Sequence, residues 1–139
     1  MKSLLFAAAL AALAFADTAQ AAAPNGCVQV DVHHVRPQQG QLMVAAYGDA
    51  DSFNKKALTQ LRLPAGDAIT RFQLCGLSGD VVALTMFQDL DSDGKMAKNL
   101  LGMPTEPWGA SGSPGTFGPT WETGRVPLDG TPIVVKLVQ

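Results

Sequence analysis

Residues 28–33 read Val-Gln-Val-Asp-Val-His, and this alternation decides the class of fold. The valines recur at every second position, which is the period of a β-strand with one buried face. A second apolar segment, residues 41–47, lies between two glycines and is apolar on both faces. Such a segment is typical of a strand in the centre of a sheet.

Two further strands are predicted at residues 69–77 and 81–87. The intervening Ser-Gly-Asp at 78–80 is a tight-turn sequence, so we expect these two strands to form a β-hairpin. The second of them is apolar on both faces, which indicates another central position.

The remaining elements are shorter. Phe53, Ala57 and Leu61 have helical spacing after a capping residue, which predicts one short helix before Pro64. Residues 121–128 and 133–138 read as two final strands, and Asp-Gly at 129–130 predicts the hairpin turn between them.

The predicted fold class is therefore all-β, with at most one short helix. An antiparallel β-sandwich of immunoglobulin-like or transthyretin-like type fits best, and a small closed barrel is the alternative. Residues 88–120 form one long Gly/Pro-rich loop without a strand pattern. A loop of this length in a small domain usually carries function or is held by something.

The chain begins like an exported protein. Lys2 precedes an apolar run, and Ala-Gln-Ala at 19–21 matches a signal-peptidase site, so residues 1–21 are interpreted as a signal peptide and 22–139 as a single domain. No segment is long and apolar enough to span a bilayer, and the localisation expected is periplasmic or secreted. A net charge of −2 gives no indication of nucleic-acid binding.

Cys27 and Cys75 are the two cysteines of the chain. Export favours a disulfide between them, with two free thiols as the alternative. Strand parity places both on the polar face of their strands, opposite the valines and Phe72. We therefore expect a bridge between neighbouring strands, on an outer face or near a strand end, rather than between sheets.

The sequence Asp-Leu-Asp-Ser-Asp-Gly at 89–94 carries the clearest chemical suggestion. Three alternating carboxylates and a glycine match the first half of an EF-hand-type calcium loop. The predicted metal ligands are Asp89, Asp91, Asp93 and the backbone carbonyl of Lys95, with Asn99, Glu106 or water completing the shell. The alternative interpretation is a solvated acidic turn.

The second half of an EF-hand is missing. The ninth loop position is Ala97 and the twelfth is Leu100, where a bidentate glutamate would be needed. A strand, not a helix, leads into Asp89. The expectation is therefore a calcium loop attached to a β-sandwich.

Five motifs follow one another along the chain: the Gly-led strand at 40–47, the Phe-to-Gly segment at 72–79, the Asp-rich loop ending in Gly-Lys at 89–95, Leu-Gly-x-Pro-x-Glu at 101–106 and aromatic-Gly-x-Ser at 108–111. In this order and spacing they resemble the exported bacterial family known as domain of unknown function 2141. The resemblance covers nearly all of residues 22–139 and implies an exported β-sandwich without a particular reaction. Gln88 stands where the family usually has His, and Ala97 where it usually has Asp.

These observations lead to one functional hypothesis and one alternative. The hypothesis is a non-enzymatic binding or structural module of the cell envelope, stabilised by calcium, with a partner that the sequence does not identify. The alternative is a carbohydrate- or peptide-binding module that uses Trp108 and Trp121. No catalytic residue is predicted, because Ser111 and Ser113 lack the strand–turn–helix setting of a nucleophile elbow.

Overall fold

The structure is a computed structural model that describes residues 26–115 and 117–139. The predicted signal peptide, residues 1–21, lies outside the described residues. The elements, in chain order, are β1 (Val28–His33), β2 (Gln41–Tyr47), β3 (Thr59–Pro64), β4 (Ile69–Leu74), β5 (Val81–Asp89), β6 (Trp108–Ala110), α1 (Trp121–Gly124), β7 (Arg125–Pro127) and β8 (Ile133–Lys136).

The strands form the two sheets of a β-sandwich, which confirms the predicted all-β class. One sheet has the order β4-β1-β8, and the other has the order β3-β2-β5-β6, with β7 also paired to β5. The pairs are antiparallel except β1 with β8, which is parallel. Both strands predicted to be central, β2 and β5, are internal strands of the five-stranded sheet.

The core lies between the two sheets, where alternate residues of each sheet meet. The three valines of β1 are 0 % exposed, as the alternation predicted. They pack with the inward residues of β2 and β5, and burial of this apolar surface is the main stabilising term of such a fold. The other principal members are Leu42, Val44, Leu74, Val82, Leu84, Met86, Ile133 and Val135.

The predicted disulfide is present and lies where strand parity placed it. Cys27 and Cys75 are bridged, with their Cα atoms 3.9 Å apart. They flank the antiparallel register pair of Val28 with Leu74, so the bridge joins the neighbouring ends of β1 and β4. Cys75 is exposed, and the bridge lies outside the core.

The predicted helix around residues 53–61 is wrong. The chain instead makes a turn, in which the amide groups of Lys55 and Lys56 donate to the carbonyl of Ser52, and then enters β3. Leu61 and Leu63 of β3 alternate toward the core and pack against it. The period-two burial of these leucines outweighed the weak helical spacing, because packing decides between competing local preferences.

The two predicted hairpins are also wrong. β4 pairs with β1 and β5 pairs with β2, so residues 75–80 cross from one sheet to the other. Likewise β7 and β8 belong to different sheets, and residues 121–124 form α1 before β7 begins. Alternation within a strand indicates which face is buried but not which strand is the neighbour.

The long loop is shorter than predicted because β6 lies within it. β6 pairs with β5, and this places Trp108 opposite Phe87 in the sheet. Residues 90–107 remain as an irregular connection between the end of β5 and the start of β6. No helix among the described residues is long and apolar enough to cross a membrane.

Candidate functional site

Asp89 is the last residue of β5, and its side chain is 0 % exposed. Its Oδ2 accepts hydrogen bonds from Nε2 of Gln41, at 2.7 Å, and from the backbone N–H of Gly94, at 2.8 Å. Its Oδ1 accepts the N–H of Asp93 at 3.1 Å. The buried carboxylate therefore fixes the turn that follows it, and a buried charge needs such partners.

The acidic turn after Asp89 is closed by its own carboxylates. Oδ1 of Asp91 accepts the N–H of Asp93 at 3.2 Å, and Oδ1 of Asp93 accepts the N–H of Lys95 at 2.8 Å. Gly94 has a φ of 81°, a left-handed conformation that favours glycine and bends the chain back toward Asp89. The glycine therefore has the bending role that the sequence predicted.

Glu106 holds the far end of the same loop. Its side chain is 5 % exposed, and its two oxygens accept the N–H groups of Leu90 at 2.8 Å and Ala97 at 2.9 Å. One carboxylate, two residues before β6, thus ties the start and the middle of the loop to its end. The sequence suggested Glu106 only as a supplementary ligand, whereas the structure makes it the anchor of the loop.

The structure brings three of the predicted ligands together. Carboxylate oxygens of Asp89, Asp91 and Glu106 lie within 4.8 Å of one another. Asp93 is exposed and lies outside this group of three, and its Oδ1 accepts the backbone N–H of Lys95. Asn99 uses its Oδ1 to accept the N–H groups of Leu101 and Met103, so it organises its own turn.

The pKa values of Asp89 and Asp91 are shifted in opposite directions. Burial raises the pKa of Asp89, but hydrogen bonds from Gln41, Gly94 and Asp93, together with a contact to Asp91, lower it by more. The pKa of Asp91 is lowered by the N–H of Asp93, but the contact with the Asp89 carboxyl, burial and the charges of Asp93 and Glu106 raise it overall. The cluster thus contains carboxylates that repel one another, and proton uptake at Asp91 relieves the repulsion.

The cluster has the donor chemistry of a calcium site. Calcium takes carboxylate and carbonyl oxygens at roughly 2.3–2.6 Å, so two of its ligands are at most about 5 Å apart. Oxygens within 4.8 Å of one another can therefore share one ion. Asp89, Asp91 and Glu106 would each give a carboxylate oxygen to calcium, and the backbone carbonyl of Lys95 or water would have to supply further oxygens.

The two positions at which the chain departs from the family motifs have clear structural roles. Gln88 is fully buried, and its amide bonds the N–H of Arg36 at 2.8 Å and the carbonyls of Arg36 and Gln39 at 2.7 Å each. Gln88 therefore fixes the turn between β1 and β2 beside Asp89. Ala97 takes part through its backbone: its N–H donates to Glu106, and its carbonyl accepts the N–H of Thr105 at 2.9 Å.

The two tryptophans of the alternative hypothesis occupy different places. Trp108 lies on the outer face of the five-stranded sheet and lines an open groove of about 1060 Å³. Phe117 lines the same groove, but Trp121 does not; it begins α1. This groove therefore includes Trp108 and Phe117, and Trp121 is not part of its lining.

Ser111 is buried and has a structural role. Its hydroxyl accepts the N–H of Leu84 at 2.8 Å and bonds the carbonyl of Gly124. It therefore joins β5 to the end of α1. The hydroxyl is enclosed and engaged, in contrast to the exposed hydroxyl of a nucleophile elbow.

The fold and the loop together define a class, a two-sheet β-sandwich with a carboxylate-anchored loop. A family model described as an uncharacterized protein conserved in bacteria (DUF2141) matches residues 30–135. The chain belongs to this family, as the motifs of the sequence indicated. No curated protein matches the chain. No solved structure matches it either.

Proposed function

We propose that this protein is an exported, non-enzymatic module of the bacterial cell envelope whose long loop is stabilised by calcium. The observation that carries the proposal is the convergence of Asp89, Asp91 and Glu106, with oxygens within 4.8 Å of one another. Like charges this close destabilise the loop unless a proton or a cation neutralises them. A divalent hard cation is the ligand that such an oxygen set prefers.

Export is supported by two features. The leader at residues 1–21 has the composition of a signal peptide. The disulfide between Cys27 and Cys75 is of a kind that persists in oxidising compartments. A periplasmic or secreted location is consistent with both, and it supplies the millimolar calcium at which extracellular modules are loaded.

Titration calorimetry with calcium tests the metal proposal. We expect a single site with a dissociation constant of about 10⁻⁴–10⁻³ M, the range of extracellular calcium modules. The substitution Asp91→Asn removes one ligand charge and should weaken binding roughly tenfold. The matched control is Asp51→Asn, which changes an exposed aspartate outside the cluster. Absence of binding to the wild type, or equal binding by both variants, would reject the site.

A second candidate function, ligand binding, is favoured by the groove that contains Trp108. Binding sites for small molecules are concave, mostly apolar and of several hundred Å³, and this groove exceeds that size. Residues 94–104 contribute to one wall, so the acidic loop is adjacent to the groove. A module that binds a ligand here would use this loop as part of the binding surface.

A further inference from the structure

The outer face of the five-stranded sheet carries an apolar row that runs across three strands and ends beside a cation on a fourth. Met43 is opposite Arg62 of β3 on one side and Phe87 of β5 on the other, and Phe87 is opposite Trp108 of β6. Residues opposite each other in neighbouring strands share a face. The three apolar side chains are half-buried rather than covered, and they form the floor of the groove.

Three methionines contribute to the outer lining of this groove, namely Met43, Met96 and Met103. Met86 also borders it, but its side chain is buried in the core between the sheets. Methionine is unbranched and polarisable, so a surface rich in it adapts to flexible apolar ligands. A sugar would instead need many fixed hydrogen-bonding partners, because its hydroxyl groups lose water on binding.

The rim of the groove is also apolar. Met103 and Phe117 line the groove and are 59 % and 102 % exposed. Leu100 and Leu101, on the same loop as Met103, are 106 % and 85 % exposed. Scattered exposed apolar residues are ordinary, but several beside an apolar groove indicate a surface that a ligand covers.

The charge of the groove is opposite to that of the protein. The lining includes two cations, Arg62 and Lys98, and no acidic residue, whereas the chain as a whole has a net charge of −2. Within the described part of the chain, the side chains of Arg62 and Lys98 form no ion pair and no hydrogen bond. Two uncommitted cations beside an apolar floor are complementary to a ligand with an apolar body and an anionic head.

We infer that the groove binds a small anionic amphiphile, a single acyl chain with a carboxylate head group. The chain lies along the Met43–Phe87–Trp108 floor, and the carboxylate is bound by Arg62 and Lys98. This inference rests on the second candidate function, that the groove binds a ligand, and adds the chemical class of that ligand. It does not depend on calcium.

Fluorescence titration of a Trp121→Phe variant tests the inference, because Trp108 is then the only tryptophan. The probes are dodecanoate, dodecyl maltoside and dodecyltrimethylammonium, each below its micelle concentration. Dodecanoate should change the Trp108 emission saturably and bind about three- to tenfold more tightly than the neutral probe, and the cationic probe should bind most weakly. Shortening the acid should weaken binding about two- to fourfold per methylene removed.

A second experiment reverses the charges of Arg62 and Lys98. The double substitution Arg62→Glu with Lys98→Glu should weaken dodecanoate binding at least about tenfold and reverse the preference between the anionic and cationic probes. The matched control, Lys55→Glu with Lys136→Glu, makes the same change in net charge at exposed lysines outside the groove lining and should bind like the wild type. Should the double variant not fold, Ala45→Phe, which fills the groove floor, should abolish binding of all three probes.

The outcomes distinguish the claim that the groove binds a ligand from the claim that this ligand is anionic. Equal affinity for the three probes would overturn the anionic class while leaving a groove that binds ligands. No response to any probe would overturn both. Two further results would also contradict the inference: a dimer in sedimentation experiments that dodecanoate does not dissociate, or binding to anionic vesicles without binding to monomeric dodecanoate.

Discussion

The carboxylates of Asp89 and Glu106 have oxygens within 4.8 Å of each other, although both side chains are almost completely buried. Asp89 ends β5, and Glu106 lies just before β6. Their hydrogen bonds to Leu90, Ala97, Asp93 and Gly94 hold both ends of the loop between these strands. The site proposed for calcium is therefore the same set of groups that closes the loop.

Glu106→Gln should destabilise the protein by about 1–3 kcal/mol. The substitution retains the shape of the side chain but turns an amide nitrogen toward the N–H of Leu90 or Ala97, leaving a buried donor without an acceptor. Urea unfolding measures the loss. The control Glu122→Gln changes an exposed glutamate and should alter the unfolding free energy by less than about 0.5 kcal/mol.

The acidic cluster should make stability depend on pH in two opposite ways. The pKa of Asp91 is raised in the folded state. Asp91 therefore contributes to the stability of the fold at low pH, and this contribution is lost as the pH rises through the folded-state pKa. The lowered pKa of Asp89 means that its contribution is present above the ordinary aspartate value and is lost as the pH falls through its folded-state pKa.

Thermal unfolding of Asp91→Asn in chelator tests this dependence. The melting temperature of the variant should rise relative to the wild type as the pH increases above the ordinary aspartate value of 3.8, because the variant lacks the repulsive charge. Asp51→Asn is the control, because it removes one exposed carboxylate that lies outside the cluster. A constant difference between Asp91→Asn and the wild type would show that Asp91 does not titrate abnormally.

Gly40 approaches the backbone of Asp89 so closely that no side chain fits. Its φ is 60°, and a Cβ would collide with the carbonyl oxygen of Asp89. Gly40→Ala should therefore cost more than about 2 kcal/mol, since the backbone at Asp89 cannot yield without disturbing β5. Gly79→Ala is the control: φ is again positive, but a Cβ there would meet nothing within 4 Å. Gly79→Ala should cost only the backbone strain of about 1–2 kcal/mol. Equal losses of unfolding free energy in the two variants would contradict the close approach at Gly40.

Removal of the disulfide should cost about 2–4 kcal/mol. The bridge closes a loop with a sequence separation of 48, so it restricts the unfolded chain. Cys27→Ser with Cys75→Ser should lower the midpoint of urea unfolding while leaving the β-sheet circular dichroism unchanged. A urea midpoint equal to that of the wild type would show that the bridge contributes nothing to stability.

The strands with strong alternation could be predicted from the sequence, and their partners could not. The valines of β1 and the parity of the two cysteines correctly indicated the buried face and the position of the disulfide. The hairpin predicted across residues 78–80 was wrong, because proximity in the chain favours pairing, whereas the buried faces of β4 and β5 belong to opposite sheets. The strand β3 was missed because Leu61 also fitted a helical spacing with Phe53 and Ala57.

The candidate site, too, could be predicted from the sequence only in part. The Asp-rich sequence indicated a carboxylate cluster, but the EF-hand comparison gave Asp93 the same weight as Asp89 and Asp91. Burial distinguishes them, since Asp89 is enclosed and Asp93 is exposed. The part played by Glu106 depends on how the loop folds back to β6, and the cationic, methionine-rich groove depends on which strands are neighbours. Neither can be read from local sequence.

Thermal unfolding of the wild-type protein in calcium and in chelator tests the central claim most directly. With a dissociation constant of about 10⁻⁴–10⁻³ M, 5 mM calcium should raise the melting temperature by roughly 3–8 °C, and Asp91→Asn should lose most of this shift. An unchanged melting temperature at millimolar calcium would contradict the claim that the carboxylates of Asp89, Asp91 and Glu106 form a calcium site.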